Sequence, residues 1–255
     1  MKQKFDSIIF DMDGVLINET KSYRLAIEMT VNLIFSKLSL SSITQKDIKV
    51  IKNYPRFNND WDVSYVLVNL IEKGINKKDY FTQLRPVTPE ARKTKKYQRI
   101  KDIFQSFYLG EKLFQEVYNR LPPLSFKRGL NLNDSLLIEK MLLNNLTEKY
   151  KLGIVTSRPR FEALFTAKNL NITPQFIKEA FIVAKEDAAY EKPNPDPLWE
   201  IKKRMNVANS VYIGDTINDI IAANKAGIPC IFIGKTSKAI YKQFNNINQI
   251  KETFL

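Results

Sequence analysis

Histidine is absent from the 255 residues and cysteine occurs once, at Cys230. Without imidazole there is no Ser-His-Asp or Cys-His machinery, no phosphohistidine and no histidine-based zinc site, since each needs that ring as base, nucleophile or ligand. A single thiol excludes an intramolecular disulfide and a Cys-x-x-Cys pair. Acid–base work therefore falls to carboxylates, lysine or tyrosine, and any metal must be a hard ion held by oxygen. Long hydrophobic runs are missing as well. SIIF at 7–10 and VLVNLI at 66–71 fall far short of the roughly 18 apolar residues of a membrane span. The N-terminal MKQKFDSIIFDMDG meets aspartates where a signal peptide would continue its apolar core. The expectation is a soluble, cytoplasmic chain with Cys230 reduced and buried in a strand.

What is present is ordinary globular usage, with 44% hydrophobic and 26% charged residues, and an excess of 40 basic over 27 acidic side chains that gives +13. The excess is uneven. Residues 1–16 carry two basic and three acidic residues, residues 131–255 carry 17 and 13, and residues 17–130 carry 21 and 11, so +10 lies in one contiguous segment. Such a balance admits nucleic acid, an anionic membrane surface or a small anionic substrate as partner.

Hydrophobic pattern divides the chain at the same places. FDSIIF (5–10), LGIVT (152–156), AFIVA (180–184), SVYIG (210–214) and PCIFI (229–233) are short, β-branched runs of the kind that form buried parallel strands. Between them, helical patterns begin at 134, 160, 197 and 219. Alternating strands and helices predict an α/β fold, a Rossmann-like parallel sheet built of right-handed βαβ units. Residues 17–130 show helical periodicity throughout, from 23, 61 and 97, and predict an all-helical insertion. The predicted domains are 1–16 with 131–255 as the α/β core and 17–130 as the helical insertion, with RPVTPEARKTKK from 85 as the most linker-like stretch.

Chemistry gathers at the predicted strand ends, where ligands bind in open α/β sheets. FDMDGVL places Asp11 and Asp13 just past the first strand, two apart and able to face one side, with Gly14 beside them. IGDTIND places Asp215 at another strand end and Asp219 one helical turn on. Two carboxylates about 4 Å apart repel by roughly 4 kcal/mol at an effective dielectric of 20, so a cluster of these four calls for a cation, most simply Mg²⁺. Thr156 and Ser157 can offer hydroxyl and backbone N–H groups to an anion, and Lys192 is a compact positive charge on a loop that Pro193, Pro195 and Pro197 should hold extended. Together these make a phosphate site with a nucleophilic aspartate.

Taken singly, each feature has a plainer reading. Asp-x-Asp-Gly is a common surface turn, Ser157 before Pro159 resembles a helix N-cap, Lys192 could be a solvated loop lysine, and GDTIND could be a capped helix start. Four such features in this order at strand ends support one another.

In that order, DMDGV at 11–15, Thr156, Lys192 and GDTIND at 214–219, the chain resembles a haloacid-dehalogenase-superfamily hydrolase. The likeness covers 1–16 and about 131–235, and the insertion is similar to the helical cap of the C1 type, placed between the first two motifs. The resemblance implies that Asp11 attacks phosphorus to form an aspartyl-phosphate and that Asp13 protonates the leaving alkoxide, then activates water. It implies Mg²⁺ held by the Asp11 carboxylate, the Asp13 backbone carbonyl and Asp215, with Asp219 close by, and Thr156 and Lys192 on the phosphoryl oxygens. A second acid at Asp13 looks like the phosphatases rather than the dehalogenases. Within the insertion FNNDWD (57–62) and FQSFYLG (104–110), and in the core TSRPRFEA (156–163), are similar to an uncharacterised branch of helical-cap hydrolases. Arg56, Asn58, Asn59 and Asp60 are candidates to read the leaving group. In the opposing reading, Phe57 and Trp61 anchor the core and the polar residues cap the following helix. Arg158 is a further candidate substrate contact.

RPVTPEARKTKKYQRIK (85–101) sets seven basic residues against Glu90 and reads either as a solvated face or loop, or as a patch that attracts an anionic substrate. Tyr97 is its one interleaved aromatic, which disfavours a stacking platform for nucleic acid. The expected function is Mg²⁺-dependent hydrolysis of a small anionic phosphate monoester, with no membrane partner. A phosphomutase of the same superfamily, or a nucleic-acid-binding protein with a relic core, are the alternatives.

Overall fold

The structure is a computed structural model that describes residues 5–35, 43–52, 54, 57, 59–235, 238 and 240–255. They form two compact units, one ending at Asn18 and resuming at Ser135, the other running from Glu19 to Asp134. No helix of the described residues is long and apolar enough to cross a membrane.

The chain starts with β1 (Ser7–Phe10) and the short β2 (Ile17–Asn18). The second unit follows with α1 (Tyr23–Phe35), α2 (Gln45–Lys52), α3 (Asp60–Glu72), α4 (Tyr80–Gln83), α5 (Pro89–Arg92) and α6 (Lys95–Tyr118). The first unit then resumes with β3 (Ser135–Leu136), α7 (Lys140–Thr147), β4 (Lys151–Val155), α8 (Arg160–Asn169) and β5 (Ile182–Val183). It ends with α9 (Asp196–Met205), β6 (Ser210–Gly214), α10 (Ile217–Ala226), β7 (Cys230–Ile233), β8 (Lys242–Phe244) and α11 (Lys251–Phe254).

Six strands make one sheet in the order β5-β4-β1-β6-β7-β8, every neighbouring pair parallel. The unit is thus the expected Rossmann-like α/β fold. Its central strands are apolar on both faces because helices cover both. Ile8, Phe10, Leu152, Ile154, Val211 and Ile213 belong to one buried cluster with Leu143 of α7 and Ala163 of α8. Ile9, Val155 and Tyr212, one step out of phase, belong to the other with Leu198 of α9 and Ile220 of α10. This two-residue alternation is what lets a continuous apolar run fill two cores. Cys230 opens β7, buried, and burial pushes its thiol up to about 12, which leaves it inert.

Three features depart from the sequence reading. The helix expected from 134 starts only at Lys140, because Ser135 and Leu136 pair antiparallel with Asn18 and Ile17. β8 carries Lys242 and Gln243, the polar dress of an edge strand, and gives no apolar run to read. The segment around Lys192 turns rather than running extended, since Asn194 N–H donates to Glu191 and Pro197 already stands inside α9, where a first-turn proline fits.

In the helical unit, α1, α3 and α6 share one core in which Tyr23 stacks on Tyr108 with ring centroids 4.1 Å apart. The long periodic run expected from 97 is α6, interrupted at Gly110 with φ 72° and ψ 171°. That conformation is open essentially to glycine alone. A Cβ there would lie 2.5 Å from the Gly129 nitrogen. Much of the basic run is tied down inside this unit. The Arg92 guanidinium donates to buried Asp62 at 2.6 and 3.1 Å, and the Tyr97 hydroxyl donates to the same carboxylate at 2.7 Å. Lys96 pairs with Glu72, and Lys101 lies 4.0 Å over the Trp61 ring.

Candidate active site

Because β1, β4 and β6 are adjacent and parallel, their carboxyl ends bring Asp11, Thr156 and Asp215 to one edge of the sheet. The Asp11 N–H donates to the Ile213 carbonyl at 2.8 Å, extending the β1–β6 ladder by one residue before the chain turns. Gly14, at φ 75°, makes that turn, and a Cβ on it would stand 2.1 Å from Asp215 Oδ2. Only glycine gives both the conformation and the room for the two acidic loops to meet.

Asp11 is buried, with Oδ1 accepting from the Met12 N–H at 2.8 Å and from Lys192 Nζ at 2.9 Å. Lys192 is buried too, and its ammonium also donates to Asp219 Oδ1 at 2.7 Å and to the Tyr212 hydroxyl at 2.9 Å. Asp219 has all its acceptor capacity used. Oδ1 takes Lys192 and the Tyr212 O–H at 2.7 Å, while Oδ2 takes the Thr216 N–H at 2.9 Å and its hydroxyl at 2.6 Å. It is both the capping-box partner of Thr216 at the start of α10 and the anchor of Lys192. The helix-start reading of GDTIND holds, and the same carboxylate also meets Lys192.

The electrostatics show what the cluster needs. Burial pushes the Asp11 carboxyl up to about 7, with Asp219 and Asp13 adding to the rise against the pull of Lys192. For Lys192, burial opposes the charge, but Asp11 and Asp219 overcome it and the net direction is up. Oxygens of Asp11, Asp215 and Asp219 lie within 4.8 Å of one another. Three carboxylates against one ammonium leave two negative charges, the complement of a divalent cation, and an all-oxygen donor set suits Mg²⁺. Since Asp219 already accepts from four protein donors, Asp11 and Asp215, whose buried Oδ1 has no hydrogen bond among the described residues, are the better-placed candidate ligands.

Thr156 directly follows β4, buried, but its N–H donates to the Val183 carbonyl at 2.9 Å, so only the hydroxyl can serve an anion. That oxygen accepts from the Arg158 N–H at 3.1 Å. Ser157 follows on the turn, half-buried. It is not the cap of α8; Pro159 holds that place, and the Arg160 N–H is taken by the Glu186 carboxylate at 2.7 Å. Arg158 is buried and grips Asp13, with Nε 3.0 and 3.1 Å from the two carboxylate oxygens and Nη2 2.5 Å from Oδ1.

Of the candidate substrate contacts in the helical unit, Arg56 and Asn58 lie outside the described residues. Asn59 is the N-cap of α3, accepting from the Trp61 and Asp62 N–H groups, and Asp60 pairs with Lys52 at 2.8 Å. Phe57 is buried and Trp61 packs on the same core. Both polar residues thus have work inside their own unit. The residue that sequence reasoning missed is Tyr212. Its signal was a phenol in an otherwise aliphatic buried strand, since a buried Tyr hydroxyl needs a partner.

Residues 136–233 match the haloacid dehalogenase-like hydrolase family. Among curated proteins, the chain is 31% identical over 233 residues to an imidazoleglycerol-phosphate dehydratase of Phytophthora nicotianae, covering 89% of this chain and 43% of that protein. It is 34% identical over 82 residues to a phosphoglycolate phosphatase of Escherichia coli (strain K12), covering 31% of each. The chain thus spans less than half the length of these curated relatives. Among solved structures, phosphatase Tt82 from Thermococcus thioreducens superposes with a TM-score of 0.68 at 25% identity, covering 96% of this chain and 97% of that one. Sheet order and motif order agree with these likenesses, in which the chain is similar to the haloacid dehalogenase-like hydrolases over residues 136–233.

Proposed function

We propose that the chain is a Mg²⁺-dependent phosphatase that hydrolyses a small phosphate monoester through an aspartyl-phosphate on Asp11. The observation that carries this reading is the Lys192–Asp11 contact of 2.9 Å in a buried site with acidic residues at the adjoining strand end. The ammonium fixes one oxygen of the nucleophile and stands where it would neutralise phosphoryl oxygens. Asp11 and Asp215, with the Asp13 main-chain carbonyl, would hold the ion, which when bound supplies compensation for the charge of the phosphoryl group.

The Asp11 carboxylate forms a new O–P bond as the bond from phosphorus to the leaving oxygen breaks, and Asp13 gives its proton to the departing alkoxide. Asp13 then takes a proton from water, whose oxygen attacks phosphorus, releasing phosphate and restoring Asp11. The Thr156 hydroxyl donates to a phosphoryl oxygen. Monoester hydrolysis is among the slowest uncatalysed reactions, which is why nucleophile, acid and counter-charge must act together.

Phosphate release from a panel of esters tests this. The panel includes 2-phosphoglycolate and imidazoleglycerol phosphate, after the names of the curated relatives, beside sugar and nucleotide phosphates. Release from at least one ester with Mg²⁺, its loss in EDTA and a fall of about 10³-fold or more in Asp11→Asn are expected. Silence on every ester, or indifference to EDTA, sinks the reading. Interconversion of a sugar phosphate with little release would point to a mutase.

A further inference from the structure

Arg158 stands on the turn after β4, where it could have been a contact for the substrate. Its side chain is only 1% exposed, against 24% for the Asp13 side chain it holds. We propose that Arg158 is a positioning residue for Asp13: a buried guanidinium fork that fixes the plane and direction of the acid–base carboxylate rather than reading the leaving group. The inference rests on the phosphatase reading for the role of Asp13, but its geometry stands apart from it.

Three anchors hold the fork. Nη1 donates to the Thr166 hydroxyl at 2.6 Å, and Thr166 is itself buried on α8. The Arg158 N–H donates to Thr156 Oγ1 at 3.1 Å, and its carbonyl accepts from the Lys185 N–H at 3.0 Å. The backbone is thereby tied to the end of β4 and to the segment after β5. From this fixed base Nε and Nη2 reach both Asp13 oxygens. A planar two-point grip sets a carboxylate's orientation as well as its place, which a lysine ammonium cannot do. Asp13 sits in the turn just ahead of Gly14 at φ 75°, where the grip sets the direction of its side chain. An acid misplaced by about 1 Å costs roughly 10²-fold in rate. A residue that binds the leaving group would instead need its N–H groups turned toward open space, and here Nε, Nη1 and Nη2 all have protein acceptors.

The test is steady-state kinetics of Arg158→Met, Arg158→Lys and Thr166→Val on an ester the parent hydrolyses, with crystal structures of the parent and Arg158→Met. A positioning role lowers kcat about 10²-fold in Arg158→Met with KM within roughly threefold, leaves Arg158→Lys in between and lowers kcat severalfold in Thr166→Val. Guanidinium ion added to Arg158→Ala should restore part of kcat. A raised KM at unchanged kcat, or no change in either Arg158→Met or Thr166→Val, overturns the proposal. If Arg158→Met fails to fold, Thr166→Val and the parent decide by the same split. A parent that hydrolyses no ester defeats the phosphatase reading alone. The positioning claim is then judged by the crystals, where a rotated or multiple Asp13 side chain in Arg158→Met supports it and an unmoved one overturns it.

Discussion

Lys192 carries a heavy electrostatic burden. It is fully enclosed, and its ammonium is the counter-charge of both Asp11 and Asp219. Replacing it by methionine keeps much of the volume but strands two buried carboxylates, and breaking a buried pair from one side typically costs about 3–5 kcal/mol. Lys192→Met should therefore lower the metal-free unfolding free energy by roughly that amount in urea titrations, and added Mg²⁺ should return part of it by supplying charge to the same carboxylates. A loss below about 1 kcal/mol would show that solvent reaches the cluster. At this scale the sequence was informative about residue types and silent about pairing. Asp11 and Asp215 stand out by their place at strand ends, and Lys192 by its loop among three prolines. That Asp219 spends its oxygens on Lys192 as well as on Tyr212 and Thr216 needs the side-chain geometry, because the lysine comes from a loop 27 residues away in sequence. Arg158 is the same case. Nothing in TSRPR says that the arginine turns inward to Asp13, 145 residues away in sequence.

Among the elements, the strands that read most plainly were those with both faces buried, β1, β4, β5, β6 and β7. The polar edge strand β8 and the two-residue pair β2–β3 are set by ladder bonds that leave no apolar pattern. Helices α8 to α10 matched their periodicity closely, yet what fixes them to the sheet is partly polar. Asp187, in the loop after β5, accepts from the Ala184 N–H at 2.8 Å, from Arg160 of α8 at 2.6 Å and pairs with Arg204 of α9 at 3.3 Å. Burial alone would raise this carboxyl, but the Ala184 N–H and the Arg204 and Arg160 guanidinium groups outweigh it and hold it below the usual range. A carboxyl depressed in the folded state adds stability that is full above its unfolded value, near pH 4, and is lost as pH falls through the folded value. Asp187→Asn should therefore cost about 1.5–3 kcal/mol at pH 7. The gap from the parent should narrow steadily in urea melts below about pH 4. An equal gap at pH 7 and pH 3 would show that the side chain acts through shape alone.

Over the whole molecule, the +13 charge was legible at once, and so was its concentration between 17 and 130. Its disposition was not. Arg92, Lys96 and Lys101 are committed to Asp62, Glu72 and the Trp61 ring, because a helical unit of this composition uses its cations to seal its own helices together. Pairing of this kind cancels local fields but leaves the net charge untouched, and at distances beyond contact an approaching phosphate dianion responds to the net charge. The attraction extends about 30 Å at 0.01 M salt and about 8 Å at 0.15 M. Raising ionic strength across that range should therefore lower kcat/KM for the hydrolysed ester by roughly 3- to 10-fold while kcat stays level, since capture is screened and the buried site is not. A flat kcat/KM would mean that the internal pairs leave no usable field. A parallel fall of kcat would place the salt sensitivity in the Asp11–Lys192 cluster itself.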